Sequence, residues 1–537
     1  MVNFRSRPNR TAVAFGLAFL LAGAAFSGSL IQKKPGASPR PGGTLRVMAF
    51  LTPFNPNFDP ASPAHYFICE QLFDGLVRFD DRFTPMPALA EYWTISEDGK
   101  RITFFLRKGV TFHNGRALTA WDVKFSLERL VQNRPGITHY QYFTRTVVGA
   151  EEYWQGLADD VAGFRVVDDS TFEIQWTRPF VTGLHLLGMY YCKILPKDLV
   201  ESQGRGFFQK PVGTGPFKFD HWLRSPQLEV LGVRLVRNAA YFGKRPYLAA
   251  LEYSPHFTDD QFEQGSVHLI SVRSERMLHR DFQILENDTL KSAFLALSCE
   301  IPPLNRPEVR RALALGLDRT RLAEACSTAA SIARPLDNYI PPRLPGFYPR
   351  SLSPIHDPDK ARMLLDRLLP ESGRKTLELT LLLPSPRQDT HSRLIQELER
   401  QLGGMGIKLS SRYLKKPEDI GGVRVPYLKL LEYSMDFPDP ENIIVPLYHS
   451  RSIVNQLNAR YASPRLDALL EQSEVERSWD KRTALFRQVE KLLFEEVPSI
   501  PLYSERIRIA LLPRVRGAKL PALGFIFLDT KEIWLEK

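Results

Sequence analysis

The chain has 537 residues, 43% hydrophobic and 24% charged, and this length predicts about three globular domains. The formal net charge is +11, but the lysines and arginines are scattered rather than gathered into a stripe, which argues against a nucleic-acid partner. The four cysteines form no CxxC pair and the histidines show no metal-ligand spacing, so we expect neither a metal nor a cofactor. For these cysteines, a Cys299–Cys326 disulfide and buried free thiols are the alternatives.

The N-terminus has the pattern of an export signal. Arg5, Arg7 and Arg10 precede an uncharged apolar run, and small residues follow it before Gly28. This pattern predicts a signal peptide over residues 1–27, cleaved before Gly28, and a periplasmic location. The alternative is an uncleaved anchor, because about 20 apolar residues are enough to cross a bilayer. Residues 28–41, rich in proline and glycine, read as a linker.

The first half of the mature chain alternates strand and helix patterns. Thr119 and Asp122 have the spacing of a capping box, and apolar residues at helical spacing follow them. The predicted elements are, in chain order, a strand at 44–50, a helix at 66–75, a strand at 101–109, a helix at 119–131 and a hairpin at 161–176.

The second half is richer in helix. Pro307 stands near the start of one predicted helix, and Pro358 stands at the first position of another, where proline is favoured. A strand–helix–strand pattern over 376–414 predicts a parallel βαβ unit. The remaining predicted elements are helices within 305–318 and 356–369, a strand at 426–435, helices at 464–476 and 479–496, and a strand within 497–513.

Catalytic motifs are absent from the sequence. The main candidate for a functional residue is Asp436. It lies between Met435 and Phe437, just after a predicted strand and before a proline-rich turn. Asp-Pro sequences favour turns. Alternatively, Asp436 faces a crevice, since ligands of α/β proteins bind at the carboxyl ends of strands. The residues alone leave both interpretations open.

Several segments together resemble the family of extracellular solute-binding proteins of the peptide/nickel type (family 5), which serve ABC importers. The resemblance covers nearly the whole mature chain. It is carried by "ALAEYWTISEDGKRITFFLRKGVTFHNGRALTAWDVKFSLERL" (88–130), "VGTGPFKF" (212–219), "RNAAYFGKRPYLAALEY" (237–253), "PPLNRPEVRRALALGLDR" (302–319) and "VPSIPLYSERIRIA" (497–510).

The resemblance implies an α/β fold, a two-lobed periplasmic-binding-protein clamp of class II type with an additional domain. A discontinuous first domain would be joined by a second domain and by a third that closes over the ligand. The implied boundaries are 42–85, 200–285 and 498–537 for domain I, 86–199 for domain II and 286–497 for domain III.

The resemblance also assigns candidate ligand-binding residues. In peptide binders of this family, an aspartate at the position of Asp436 binds the α-ammonium of the peptide. The family's Gly-Trp pair is Glu432-Tyr433 here, so a bulky charged residue is expected near the pocket. The other implied ligand-binding residues are Tyr433, Ser434, Met435, Phe437, Ala61, Ser62, His65 and Tyr66.

The implied function is that of a monomeric extracytoplasmic protein that captures short peptides and delivers them to the permease of an ABC transporter. No enzymatic activity, no cofactor and no nucleic-acid partner are expected. The alternatives are an exported enzyme or sensor built on the same clamp, or an importer protein for a nickel chelate, haem, opine or oligosaccharide.

Overall fold

A computed structural model describes residues 38–48, 55–62, 65–80, 83–133, 140–278, 280–342, 344, 354–369, 377–384, 391–521, 524 and 528–537. The predicted signal peptide and most of the linker lie outside these residues. Residues 39–537 form one compact unit. Within the described residues, no helix is long and apolar enough to cross a membrane.

The helices of the described residues, in chain order, are α1 (Tyr66–Leu72), α2 (Ala120–Val131), α3 (Tyr140–Thr144), α4 (Ala150–Trp154), α5 (Gly183–Leu187), α6 (Lys197–Gln203), α7 (Asp259–Glu263), α8 (Glu275–Leu278), α9 (Pro307–Gly316), α10 (Arg319–Cys326), α11 (Pro358–Leu368), α12 (Ser392–Gly404), α13 (Glu441–Tyr448), α14 (Ile453–Gln456), α15 (Pro464–Val475) and α16 (Trp479–Glu496). Short 3₁₀ helices occupy Gly204–Gln209 and Pro417–Gly422.

The strands are β1 (Thr44–Met48), β2 (Val77–Phe79), β3 (Pro85–Pro87), β4 (Ala90–Ile95), β5 (Arg101–Leu106), β6 (Phe164–Asp168), β7 (Thr171–Gln175), β8 (Phe217–Arg224), β9 (Val230–Arg237), β10 (Ala250–Ser254), β11 (Leu269–Ser271), β12 (Gln283–Leu297), β13 (Ser331–Pro335), β14 (Glu378–Pro384), β15 (Lys408–Leu414), β16 (Tyr427–Ser434), β17 (Ser499–Leu511), β18 (Val515–Arg516) and β19 (Trp534–Leu535).

One large sheet of eleven strands runs through the protein. Its hydrogen-bonded order is β15–β14–β16–β12–β17–β11–β1–β10–β9–β8, and β13 pairs with β17 beside this path. The two longest strands, β12 and β17, are antiparallel neighbours near the middle. They therefore join β1 and β8–β11 to the strands of residues 378–434 in a single hydrogen-bonded surface.

Among the residues that the structure describes, the buried side chains form four principal cores and one small cluster. The first core packs around β1, β8–β11 and the C-terminal end of β17. The second core lies under a separate four-stranded sheet, ordered β4–β5–β7–β6, and its helix α2. The third and fourth cores share β12, whose alternate side chains point to opposite faces: Ala293 and Leu295 enter the third core, and Phe294 and Ala296 the fourth.

Most of the predicted elements are confirmed. The Asp122 carboxylate accepts hydrogen bonds from the backbone N–H and the hydroxyl of Thr119 at the start of α2. Strand β14 is parallel to both β15 and β16, with α12 between β14 and β15, as the βαβ pattern predicts. All four cysteines are free, so Cys299 and Cys326 are not joined.

Candidate functional site

Asp436 lies at the junction of a buried strand and a helix. Strand β16, an inner strand between β14 and β12, ends at Ser434, and α13 begins at Glu441. The backbone N–H of Asp436 donates to Asn442 Oδ1 at 2.7 Å, so the first turn of α13 fixes the backbone of this residue. The side chain is half-buried. It is therefore held at the carboxyl end of a strand, as expected for a residue facing a crevice.

The carboxylate of Asp436 has a partner from a distant part of the chain. The hydroxyl of Tyr142, on α3 beside the second core, donates to Asp436 Oδ2 at 2.6 Å. Asn442 Nδ2 lies 3.5 Å from the same hydroxyl. Burial and the charge of Asp436 raise the pKa of Tyr142 well above its ordinary value. Tyr142 is therefore a neutral hydrogen-bond donor to this carboxylate. The Asp436 carboxylate keeps its negative charge for a further hydrogen-bond donor or a cation.

Three further tyrosines, Tyr190, Tyr191 and Tyr433, lie near Asp436, and Tyr66 lies beside Tyr190; we call these four and Tyr142 the tyrosine group. The ring of Tyr190 lies 5.0 Å from that of Tyr66 and 5.1 Å from that of Tyr191. Burial, reinforced by the Asp436 charge, raises the pKa of Tyr190, Tyr191 and Tyr433. The site thus combines one carboxylate with several aromatic rings, and both features attract an ammonium group.

The predicted residues next to Asp436 have different environments. Met435 is buried in the fourth core. Phe437 is buried in the second core, with its ring 6.2 Å from that of Tyr142 in an edge-to-face arrangement. Ser434 is exposed and Tyr433 is half-buried against the fourth core. Met435 and Phe437 therefore anchor the two sides of Asp436 in two different cores.

The predicted N-terminal part of the site folds as a compact loop before α1. Ala61 is buried in the second core, and the backbone N–H of Ser62 donates to the carbonyl of Asp59 at 3.0 Å. The buried ring of His65 lies 5.9 Å from that of Phe58, and burial lowers its pKa. Tyr66 is the residue of this segment that joins the tyrosine group, through its contact with Tyr190.

Asp439, three residues after Asp436, has a separate role in the structure. Both of its carboxylate oxygens accept hydrogen bonds from the guanidinium of Arg482, at 2.6 and 2.7 Å. Arg482 also pairs with Glu441 at 3.2 Å and lies over the ring of Phe486. Both members of the Asp439–Arg482 pair are buried. Asp439 therefore ties the turn to α16.

Glu432 does not extend toward the tyrosine group as expected. Its carboxylate accepts a hydrogen bond from the Tyr503 hydroxyl at 2.9 Å and pairs with Lys291 Nζ at 2.9 Å. Successive side chains of a strand point to opposite faces, so Glu432 and Tyr433 lie on opposite sides of β16. The charge that replaces the family's glycine is consequently neutralised on the other face of the sheet.

Besides the packing of Phe437 and the Asn442–Tyr142 hydrogen bond, three polar contacts illustrate how the second core and its sheet meet the part of the chain that carries Asp436. Arg178, just after β7, forms an ion pair with Glu474 on α15. Arg477 donates to the carbonyl of Glu97 at 2.5 Å. The third contact is the Tyr142–Asp436 hydrogen bond. The site therefore lies where two differently built regions of the protein meet.

Sequence analysis missed Tyr142, Tyr190, Tyr191 and Asn442. Two aromatic clusters, "HYQYF" (139–143) and "MYYC" (189–192), are visible in the sequence. Nothing in their spacing relates them to Asp436, about 250–300 residues later. Within the described residues, no group of three histidine, cysteine or acidic side chains is arranged to hold a metal ion.

Comparison with known proteins extends these observations. The profile of the bacterial extracellular solute-binding proteins, family 5 (middle), matches residues 84–455. The chain is 29% identical over 464 residues to the probable di/tripeptide-binding protein 5 of Pseudomonas aeruginosa, covering 80% of this chain and 84% of that protein. It is 27% identical over 489 residues to heme-binding protein A of Haemophilus influenzae, covering 85% of this chain and 86% of that protein.

A solved structure supports the same fold. The periplasmic binding protein DppA of Helicobacter pylori, in complex with the peptide STSA, has a TM-score of 0.70 and 24% identity, covering 93% of this chain and 99% of that one. The two-lobed α/β architecture predicted from the sequence is thereby confirmed. Since the profile covers more than half of the sequence, the chain belongs to the bacterial extracellular solute-binding proteins of family 5.

Proposed function

We propose that the protein captures short peptides by their free α-ammonium group at Asp436 and delivers them to the permease of an ABC transporter. The observation that carries the proposal is the Asp436 carboxylate, which accepts a hydrogen bond from the Tyr142 hydroxyl between two regions of the chain, while the Asp436 backbone N–H is held by Asn442. The di/tripeptide-binding relative and the peptide-bound DppA point to the same ligand class.

The chemistry of the site suits a peptide N-terminus. A peptide enclosed between two lobes loses its hydration, and a buried ammonium without a partner is costly. A fixed carboxylate compensates with a charge-assisted hydrogen bond whose net contribution is about 1.5–3 kcal/mol. The rings of the tyrosine group add cation–π attraction of about 0.5–2 kcal/mol. Within this proposal Tyr433, Ser434, Met435, Phe437, Ala61, Ser62, His65 and Tyr66 remain predicted ligand-binding residues.

We also propose the location, oligomeric state and partner of the protein. The mature protein is a monomer in the periplasm, meets its permease at the membrane and catalyses no reaction. The division into domains at the boundaries predicted above remains a prediction, although β17 connects the chain end to both halves of the large sheet.

Two measurements test the function. Mass spectrometry of ligand released from the purified native protein should detect short peptides. In calorimetric titration, Asp436→Asn should weaken binding of a free-amine tripeptide by about 10²–10³-fold, because deleting one partner of a buried pair costs about 3–5 kcal/mol. The N-acetylated tripeptide should bind weakly to both proteins. Equal affinity of variant and wild type for the free-amine peptide would contradict the ammonium site.

Haem is a second candidate ligand, favoured by the similarity to heme-binding protein A over most of the chain. A tyrosine-rich site is compatible with a large aromatic ligand. Titration with hemin, followed by visible absorption, distinguishes haem from peptide as the ligand. A saturable spectral change, combined with no heat on peptide addition, would establish haem in place of peptide.

A further inference from the structure

A cavity of about 550 Å³ lies away from Asp436 and its tyrosines. It opens between α9, α11 and the junction of α16 with β17. None of the predicted ligand-binding residues lines it. Its volume falls within the roughly 300–1,000 Å³ range of small-molecule sites. The cavity is therefore large enough for a ligand of its own and separate from the proposed peptide site.

The inner surface of the cavity is apolar. Leu364 and Leu368 of α11, together with Leu315 of α9, are half-buried against the third core. Phe494, at the end of α16, is half-buried against the fourth core, and Ile500 of β17 completes this surface. The half-buried leucines and Phe494 keep part of their apolar surface in contact with the cavity instead of with other protein atoms. An apolar body placed there would remove that surface from water.

The charged residues that line the cavity are mostly cations: Arg311, Arg319, Lys360 and Arg367, against the single carboxylate of Glu308. Glu308 is paired with Arg311 at 3.4 Å, and Arg319 with Asp337 at 3.4 Å. Among the described residues, Lys360 and Arg367 have no ion-pair partner. Both lie on α11, and at seven residues apart they are two turns from each other on the same face. The lining thus carries uncompensated positive charge.

We propose that this cavity is a second binding site for an amphipathic organic anion, with one carboxylate or sulfonate at Lys360 and Arg367 and an apolar body against Leu364, Leu368 and Phe494. The combination of an apolar floor and cations complements that chemistry. An uncharged hydrocarbon would provide no negative charge for Lys360 and Arg367. A small inorganic anion would leave the apolar side chains of the cavity exposed to water.

The test uses the full mature protein and two probes, dodecanoate and 1-anilinonaphthalene-8-sulfonate. Dye fluorescence should show one saturable site from which dodecanoate displaces the dye. The double variant Lys360→Glu, Arg367→Glu should weaken both probes at least tenfold. Arg362→Glu, an exposed charge reversal on α11 outside the cavity lining, should bind as wild type does. Dodecanol should compete poorly, because it lacks the charge.

A second variant keeps the test valid if the double charge-reversal variant misfolds. Leu364→Trp keeps the charges and fills the cavity, so it should abolish dye binding while the thermal unfolding midpoint and peptide titration stay near wild type. No saturable binding to wild type would overturn the proposal. Unchanged affinity in the charge-reversed variant, or displacement of the dye by peptide, would overturn it equally.

Discussion

Asp436 and Asp439 show how two acidic residues in one turn acquire different roles. Asp436 is half-buried and its carboxylate meets a neutral phenol, so a cation can still be gained there. Asp439 is buried and its carboxylate is saturated by Arg482. The turn interpretation of the sequence therefore suits Asp439, and the ligand interpretation is proposed for Asp436 alone.

Substitution of Asp439 should act on stability. Asp439→Asn removes the carboxylate that accepts two hydrogen bonds from the buried Arg482 guanidinium, and breaking such a buried pair costs about 3–5 kcal/mol. Denaturant unfolding should show this loss, while peptide affinity well below the unfolding midpoint changes less than tenfold. Glu471→Gln is the matched control, because its pair with Arg451 is exposed and such pairs contribute about 0–1 kcal/mol. Similar free energies of unfolding for both variants would contradict the assignment.

The partners of Asp436 could not be predicted from the sequence. The strand end that presents Asp436 is visible in the local pattern of residues 426–440. Tyr142 and Tyr190, in contrast, belong to other elements, and their proximity depends on how those elements pack. Met435 and Phe437 illustrate the same limit, because neighbours in one short segment enter two different cores.

Helix α16 contains a buried acid that makes stability depend on pH. Glu490 accepts hydrogen bonds from the backbone N–H groups of Tyr339 and Ile340, at 3.0 and 3.2 Å. Burial raises the pKa of Glu490 from its ordinary 4.5 to about 7. The folded state therefore binds this proton more tightly than the unfolded state. The resulting stabilisation is complete below pH 4.5 and is lost as the pH rises to about 7.

Glu490→Gln should remove this dependence. The wild type loses this stabilisation between pH 4.5 and pH 8, and the variant does not. The free energy of unfolding of the variant minus that of wild type should therefore increase by about 3 kcal/mol over this range, since one pKa unit corresponds to about 1.4 kcal/mol. Urea unfolding at both pH values measures the change. Glu495→Gln, an exposed acid on the same helix, should show no such gain. A constant difference between Glu490→Gln and wild type across this range would refute the prediction.

Helices with clear end signals were the most predictable elements. Asp122 at the start of α2 and Pro358 at the start of α11 lie where the sequence places them. The antiparallel strands β8 and β9 were missed, because their half-exposed residues alternate weakly between apolar and polar. Helix α13 was missed as well, since the prolines around it favour a turn and Pro446 lies inside it.

The whole molecule should change shape when it binds. A ligand enclosed at Asp436 must first enter an open crevice, so the Tyr142–Asp436 and Arg178–Glu474 contacts have to break and reform. Small-angle scattering should show a smaller radius of gyration with saturating peptide. Arg178→Ala should weaken peptide binding by favouring the open form. An unchanged radius at saturation would exclude closure.

Export is tested on the native protein. N-terminal sequencing of the extracytoplasmic fraction should begin at Gly28, because the small residues before it suit signal cleavage. Intact Met1 in the membrane fraction would instead establish the uncleaved anchor.

The position of β17 determines when folding can finish. This strand begins at residue 499 of 537, yet it lies in the interior of the large sheet, between β12 on one side and β11 and β13 on the other. Its ends contribute Leu502 to the third core and Leu511 to the first. Until this strand has been synthesised, β11 and β12 cannot be joined through it. The order of the strands thereby delays completion of the large sheet, because two parts of it that form early in the chain depend on a strand that forms late.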